Sequence, residues 1–290
     1  MTVQRLTLVP QTWPAQTPRP AAMTDVFPVR RPEVSSITRL AQGGRWRTEA
    51  MRSYDRPVLI WVTRGQGRIT VAGRTSGYGP HNAIFLPAGT MHGFSVAGAV
   101  LGHVMWLPVE TSGDWPSEPV HLRLSDGQLQ RELTGQIDQI DRELNAGAER
   151  ADEAVHMHTR LLSIWFARVM AREATAAPQS TDGNRARSLT EAYTALIEQD
   201  FRRPVGVSYF ARALGVTPTH LARVCRGVSG RAALDLLTDR RHFEACRLLK
   251  DTDLPVAEVA RQTGFRSAAY FTRAFKARSA LTPSDFRTRG

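Results

Sequence analysis

The sequence predicts a two-domain α+β protein: a small β-barrel followed by two helices, then an all-helical domain built around two helix-turn-helix units. Three observations predict it. Between Pro57 and Pro108, short β-branched and alternating runs are separated by Gly/Pro turns. From Asp126 onward the apolar residues recur every three or four positions. Near the C-terminus, a helix, a tight glycine turn and a second helix occur in sequence twice.

Along the chain, Met1 to Pro32 carries Pro10, Pro14, Pro18, Pro20, Pro28 and Pro32 and reads as a poorly ordered tail, residues 1–32. Residues 33–173 form the first domain. Val58 to Thr63 is a compact apolar run, Arg64 to Gly67 is predicted to turn, and Arg68 to Val71 alternates as a half-buried strand does. Further strands are expected at Asn82 to Leu86, Gly93 to Val96 and Val100 to Leu107. Leu129, Leu133, Ile137, Ile140 and Leu144 make Asp126 to Asn145 an amphipathic helix. A second helix runs from about Asp152 to Arg172, with Leu162, Trp165 and Phe166 on its apolar side. This pair packs either on the barrel or against a second copy of the chain. Residues 174–184 have linker composition, and residues 185–290 form the helical domain.

Charge is unevenly divided. Of a formal net charge of +11, residues 185–290 hold 19 Lys+Arg against 10 Asp+Glu. A basic C-terminal third beside a near-neutral front end points to a polyanionic partner. Cys225 and Cys246 cannot build a disulfide framework and read as small buried hydrophobes in a reducing compartment. With no secretory h-region and no apolar run of membrane-spanning length, a cytoplasmic protein with no membrane partner is expected.

The first helix-turn-helix unit runs from Ser208 to Leu214, turns at Gly215-Val216, and restarts at Thr217-Pro218 to reach Arg226. Thr217 is a good N-cap, and Pro218 suits the first helical position, where its missing N–H costs nothing. The second runs from Val256 to Gln262, turns at Thr263-Gly264-Phe265, and restarts after Ser267. A long helix from Ala232 to Lys250 separates the two. Such a pair suits double-stranded DNA, because a recognition helix fits the major groove, and two rigidly spaced helices can enter segments about 34 Å apart. The expected base-reading residues are Thr219, His220 and Arg223 on the first helix and Ala268, Ala269, Thr272 and Arg273 on the second. Expected phosphate contacts are Thr217, Arg226, Ser267, Lys276 and Arg278.

From Leu189 to Arg289 the sequence resembles the AraC/XylS family of bacterial regulators. The matching residues include Leu214-Gly215-Val216-Thr217-Pro218, Arg223, Gly230, Arg241, Ala260, Gly264-Phe265, Tyr270-Phe271, Arg273, Phe275-Lys276, Thr282-Pro283 and Phe286-Arg287. It departs from the family at Cys225, where an aromatic is usual, at Ala233, where proline is usual, and at Ala280, where glycine is usual. The resemblance implies a sequence-specific transcription regulator with a cupin-like sensor barrel, a small-molecule effector and a homodimeric assembly; RNA polymerase is a further candidate partner. Pro87 to His92 is similar to the second cupin motif, PxGxxH. The first motif, with its HxH and Glu, is missing, and His92 with His81 falls short of the three ligands a closed metal site needs. His156 and His158 point apart on a helix. No metal, cofactor or catalysis is therefore expected, and Tyr54, Trp61, Arg64 and His92 are the candidate effector-pocket residues. Two other readings stay open: a cupin-type metal-dependent enzyme with an appended DNA-binding domain, and a nonspecific DNA binder.

Overall fold

The computed structural model describes residues 31–42, 44–108, 115–176 and 184–289. The proline-rich stretch expected to be disordered lies almost wholly outside the described residues, as does most of the expected linker. The first elements among the described residues are β1 (Glu33–Ser36), α1 (Ile37–Gln42) and a 3-10 turn at Arg45–Arg47. The strands β2 (Val58–Val71), β3 (Arg74–Tyr78), β4 (Asn82–Leu86), β5 (His92–Trp106) and β6 (Val120–Arg123) follow. All pairings are antiparallel, in the order β1-β5-β2-β4-β6, with β3 on the far half of β2. This path is open: no β1–β6 pairing closes it among the described residues, so the sheet is strongly bent and not a closed barrel.

The bend lies where a turn was expected. Arg64 to Gly67 does not end a strand; it carries β2 through two register shifts against β5, between Val62 and Arg64 and between Arg64 and Gln66. A bulge adds twist and bends the strand without releasing its partner. Gly65, at φ +88, sits with its α-carbon against the Ala99 carbonyl, where an added Cβ would come within 2.5 Å. Likewise, the strands expected at Gly93 to Val96 and Val100 to Leu107 are one strand, β5, which ends at Trp106.

The run from Val58 to Val62 is apolar throughout because both faces of β2 are covered. Val58, Ile60 and Val62 join Ile69, Phe94 and Trp106 in one core. Leu59 and Trp61 face the other way, with Phe85 and Met105, toward α2 (Gly127–Ala146) and α3 (Ala151–Ala176). Leu133, Ile137, Ile140, Leu162 and Phe166 complete that second core. The two helices thus bury part of their apolar stripes on the sheet, while Met157 and Leu161 of α3 stay exposed. Asp126 caps α2, accepting from the Gln128 N–H at 2.7 Å, and Gly147 ends it at φ 58.

The helical part comprises α4 (Asn184–Asp200), α5 (Val207–Ala213), α6 (Pro218–Ser229), α7 (Ala233–Asp251), α8 (Val256–Gln262), α9 (Ala268–Ser279) and α10 (Pro283–Thr288). Two cores hold it. Tyr193, Ile197, Phe210, Leu221, Cys225 and Leu237 lock the first unit. Leu249, Val259, Phe271, Phe275 and Phe286 lock the second. Cys225 is fully buried among them, where the smaller side chain fills the position usual for an aromatic, and burial pushes its thiol up to about 11. Among the described residues, no helix is long and apolar enough to cross a membrane.

Ala280, where glycine is usual, ends α9 in the left-handed conformation at φ 60, as Gly230 ends α6 at φ 73. A Cβ in this region costs energy that glycine does not. Ala280→Gly is expected to raise folding stability by about 0.5–1 kcal/mol, read as an upward shift in the urea midpoint at constant m. An unchanged or lowered midpoint would show that the cap is unstrained.

Candidate DNA interface

The two recognition helices repeat one another. Thr217 and Ser267 are their N-caps, accepting from the His220 and Tyr270 backbone N–H groups at 3.2 and 3.4 Å. Each hydroxyl keeps its own proton free to donate outward. Every residue of Ala268–Ser279 lies fifty positions after its counterpart in Pro218–Ser229, and the burial follows that correspondence. Leu221 and Cys225 point into the first core as Phe271 and Phe275 point into the second.

The opposite faces are open. Thr219, His220, Arg223 and Arg226 are exposed on α6; Ala268, Ala269, Arg273 and Lys276 are exposed on α9, with Thr272 half-buried beside them. Arg223 lies 3.2 Å from the His220 imidazole and carries no ion pair among the described residues. Guanidinium groups left uncommitted in this way remain available for bidentate bonds to guanine edges.

Two residues need correction. Arg278 was expected to touch phosphate, but its guanidinium pairs with Asp239, which also holds Arg231. It lies on the flank of α9 near Phe271, away from Arg273, so it ties α9 to α7. Conversely, Tyr270, left out of the expected base-reading residues, stands on the open face of α9. It is 58% exposed, at the position that His220 occupies on α6. The fifty-residue correspondence would have found it.

Each turn is fixed by backbone geometry. Gly264 adopts φ +77, and a Cβ there would stand 2.5 Å from the Phe201 carbonyl. Arg241 ties the same corner together, donating to the carbonyls of Phe201, Arg203 and Val205 at 2.8, 2.7 and 2.8 Å.

The four expected effector-pocket residues do not assemble. Trp61 points to the helix layer, donating to Thr134 at 3.0 Å. Arg64 is exposed on the bulge. Only Tyr54 and His92 meet, with ring centroids 5.5 Å apart. His92 is fully buried; its Nδ1–H donates to the Thr90 carbonyl at 2.9 Å, and its Nε2 has no partner among the described residues. Burial, with Arg52 and more weakly Arg240 nearby, lowers its pKa to about 3. Those cationic neighbours make it a poor cation ligand. Among the described residues, no group of three or more His, Cys, Asp or Glu side chains is placed to hold a metal.

The sheet half is docked on both units. The β2–β3 turn presses on α4, where a Cβ on Gly73 would be 2.3 Å from Thr190, and the Thr75 hydroxyl donates to the Ser229 carbonyl at the end of α6 (2.8 Å). Trp46 packs against Phe243 and Phe286, at 5.7 and 6.0 Å. Met51 and Met91 enter the core around Tyr193, and Ser53 donates to Glu198 at 2.5 Å.

Paired helix-turn-helix units with arginine-bearing open faces define a DNA-binding protein of the transcription-regulator class. The helix-turn-helix domain family matches residues 210–289. The chain is 33% identical over 133 residues to the HTH-type transcriptional regulator GlxA of Rhizobium meliloti, covering 45% of this chain and 41% of that protein. It is 30% identical over 95 residues to the regulatory protein SoxS of Escherichia coli, covering 33% of this chain and 89% of SoxS. Among solved structures, ToxT from Vibrio cholerae aligns over 89% of this chain and 96% of its own, at 13% identity and a TM-score of 0.42. The chain belongs to the AraC/XylS family of transcription regulators, and it spans less than half the length of the first of these relatives.

Proposed function

We propose that the protein is a sequence-specific regulator that lays α6 and α9 in successive major-groove segments of one operator. The observation that carries this reading is the matched phase of the two helices: each presents an arginine, Arg223 or Arg273, at the same place on its open face. Thr219 and His220 flank the first arginine and Ala268, Ala269 and Thr272 the second, with Tyr270 beside them. Thr217, Ser267, Arg226 and Lys276 stand where phosphates pass. In this reading residues 185–290 bind DNA, while residues 33–173 form a cupin-like sensor, open-sided rather than closed, in a cytoplasmic regulator. Its contacts with the ends of both units support the sensor role, since a ligand that shifted the sheet half would alter how α6 and α9 are held.

The test is selection from a random DNA library with the purified full chain at physiological salt, followed by binding measurements on the recovered site. Two blocks one helical turn apart are expected. Arg223→Ala and Arg273→Ala should each cost about 1–3 kcal/mol on that site and relax preference at one base position. Lys276→Ala should weaken all sequences alike and flatten the salt slope by about one. Arg278→Ala should leave that slope unchanged. Recovery of no motif, or identical behaviour of Arg223→Ala and Lys276→Ala, would reject the assignment.

A further inference from the structure

We infer that Arg266 reads the minor groove of the duplex between the two operator blocks and prefers A·T pairs there, a role that rests on the paired major-groove reading above. Along one face of B-form DNA, successive major-groove segments lie about 34 Å apart, and the minor groove passes between them. A side chain at the joint between the two units, beside the N-terminus of a recognition helix, faces that groove.

Arg266 occupies this joint. The turn before α9 packs directly on the first unit, since a Cβ on Gly264 would meet the carbonyls of Phe201 and Arg203 at 2.5 and 2.7 Å. Two residues on, the Arg266 Nε donates to the Pro204 carbonyl at 3.2 Å. Arg266 immediately precedes Ser267, the cap of α9, and both residues are exposed. The turn before α6 has no such neighbour. A Cβ on Gly215 would meet nothing within 4 Å, and the residue fifty positions before Arg266 is the half-buried Val216. The arginine therefore stands only where the two units meet.

The arginines around it are committed to carboxylates. Arg202 pairs with Glu244 at 2.7 Å, Arg203 with Asp200 at 3.3 Å, and Arg261 with Glu258 at 2.5 Å. Arg266 has no ion pair among the described residues, and its bond to Pro204 uses Nε and leaves both Nη groups uncommitted. A guanidinium already held at Nε and open at its tip loses little further freedom on entering a groove. A·T-rich minor grooves are narrow and strongly negative, and they draw arginine, which is more weakly hydrated than an ammonium. At a G·C pair the guanine amino group adds a donor to the groove floor, and a donor there opposes a cation.

The experiment measures binding of the full chain to duplexes that keep both blocks of the selected operator and vary only the pairs between them. The spacers are A·T, G·C and inosine·C, the last having the major-groove edge of G·C without the amino group in the minor groove. Wild-type protein is expected to bind the A·T and inosine·C spacers about fivefold or more tightly than the G·C spacer. Arg266→Ala should bind all three alike while keeping its preferences within both blocks. Arg266→Lys should keep the salt slope and lose most of the spacer preference. Equal wild-type binding of the three spacers, inosine·C behaving as G·C, or a preference that survives Arg266→Ala would overturn the role of Arg266. The wild-type comparison needs no variant to fold. A two-block operator with an indifferent spacer overturns this role alone, whereas recovery of no two-block operator overturns the paired reading with it.

Discussion

Replacing Arg240 with alanine is expected to cost about 3–5 kcal/mol of folding stability. Its side chain is 6% exposed and sits between two carboxylates that are nearly as buried, Glu198 at 11% and Glu244 at 4%. The Arg240 Nε lies 2.9 Å from both Glu198 oxygens, and Nη1 donates to Glu244 at 3.2 Å. The guanidinium also stacks 3.9 Å from the Phe201 ring centroid. Burial by itself would raise the Glu244 carboxyl, but Arg240, Arg247 and Arg202 outweigh it and hold the group at about 2. Removing Arg240 strands Glu198 with little more than the Ser53 hydroxyl and takes one of three cations from Glu244. The unpaired charge, more than the lost attraction, sets the size of the effect. Urea unfolding of the full chain measures it. Arg240→Ala combined with Glu198→Gln should recover part of the loss, since the stranded charge goes with its partner. A loss below about 1 kcal/mol, as for a solvated surface pair, would show that water reaches the cluster. Because Ser53 belongs to the sheet half, the same substitution is also expected to loosen the docking of the two halves.

Stability is expected to fall as pH drops below about 6.5, the ordinary histidine value, well before carboxylate titration begins. His92 is held to about 3 by burial and then by Arg52, and His242 to about 4 by burial. His242 packs 4.9 Å from the Phe275 ring and 3.5 Å from the Cys246 thiol, in the core of the second unit. The sign follows from proton counting. Below pH 6.5 the unfolded chain binds a proton at each imidazole, while the folded chain binds none until about 4 and 3. Both contributions are therefore complete above pH 6.5 and are lost as pH falls toward the folded values. Each histidine supplies a slope of up to about 1.4 kcal/mol per pH unit. Measuring between about pH 6.5 and 5 isolates them from Glu244, whose loss begins only below its unfolded value of 4.5. His92→Gln should remove the His92 share of the slope, whatever it does to the stability at about pH 8, and leave the shares of His242 and of His121, which burial and Arg74 also lower. A flat stability profile over that interval would mean that both imidazoles are protonated in the folded protein.

These two clusters lie at or near the seam between the halves, and neither is visible in the sequence as a group. Glu198, Arg240 and Glu244 read there as ordinary helix-surface charges, and Ser53 is remote from all of them. Burial requires that α4 pack across α7 and that the sheet half cover both. Local rules do not contain that information.

The helix-turn-helix units were legible because their signals are local. Thr217-Pro218 and Ser267 start their helices by capping and by backbone preference, and Gly264 turns the chain because only glycine fits its φ and its contact with Phe201. The period-3.6 pattern then placed Arg223 and Arg273 outward. It did not place Arg278, whose direction is set by Asp239 on another helix, and it did not single out Tyr270 as exposed. In the sheet half, period-2 reading failed where both faces are covered. An unbroken apolar run gives no sign of which residue looks which way, so Trp61 was assigned to a pocket and turned out to face the helices. Arg64 to Gly67 has the composition of a turn, yet the long pairing of β2 with β5 keeps it in a strand as a bulge.

The helices of the C-terminal part, their caps, and the open faces those helices present were all readable from the chain without its fold. These follow from neighbours within a few positions along the chain. Only the fold in three dimensions showed that the sheet is open, that α2 and α3 pack on it, and that Arg240 lies buried between Glu198 and Glu244. Those features depend on contacts between residues far apart in the chain, where packing and desolvation outweigh local preference.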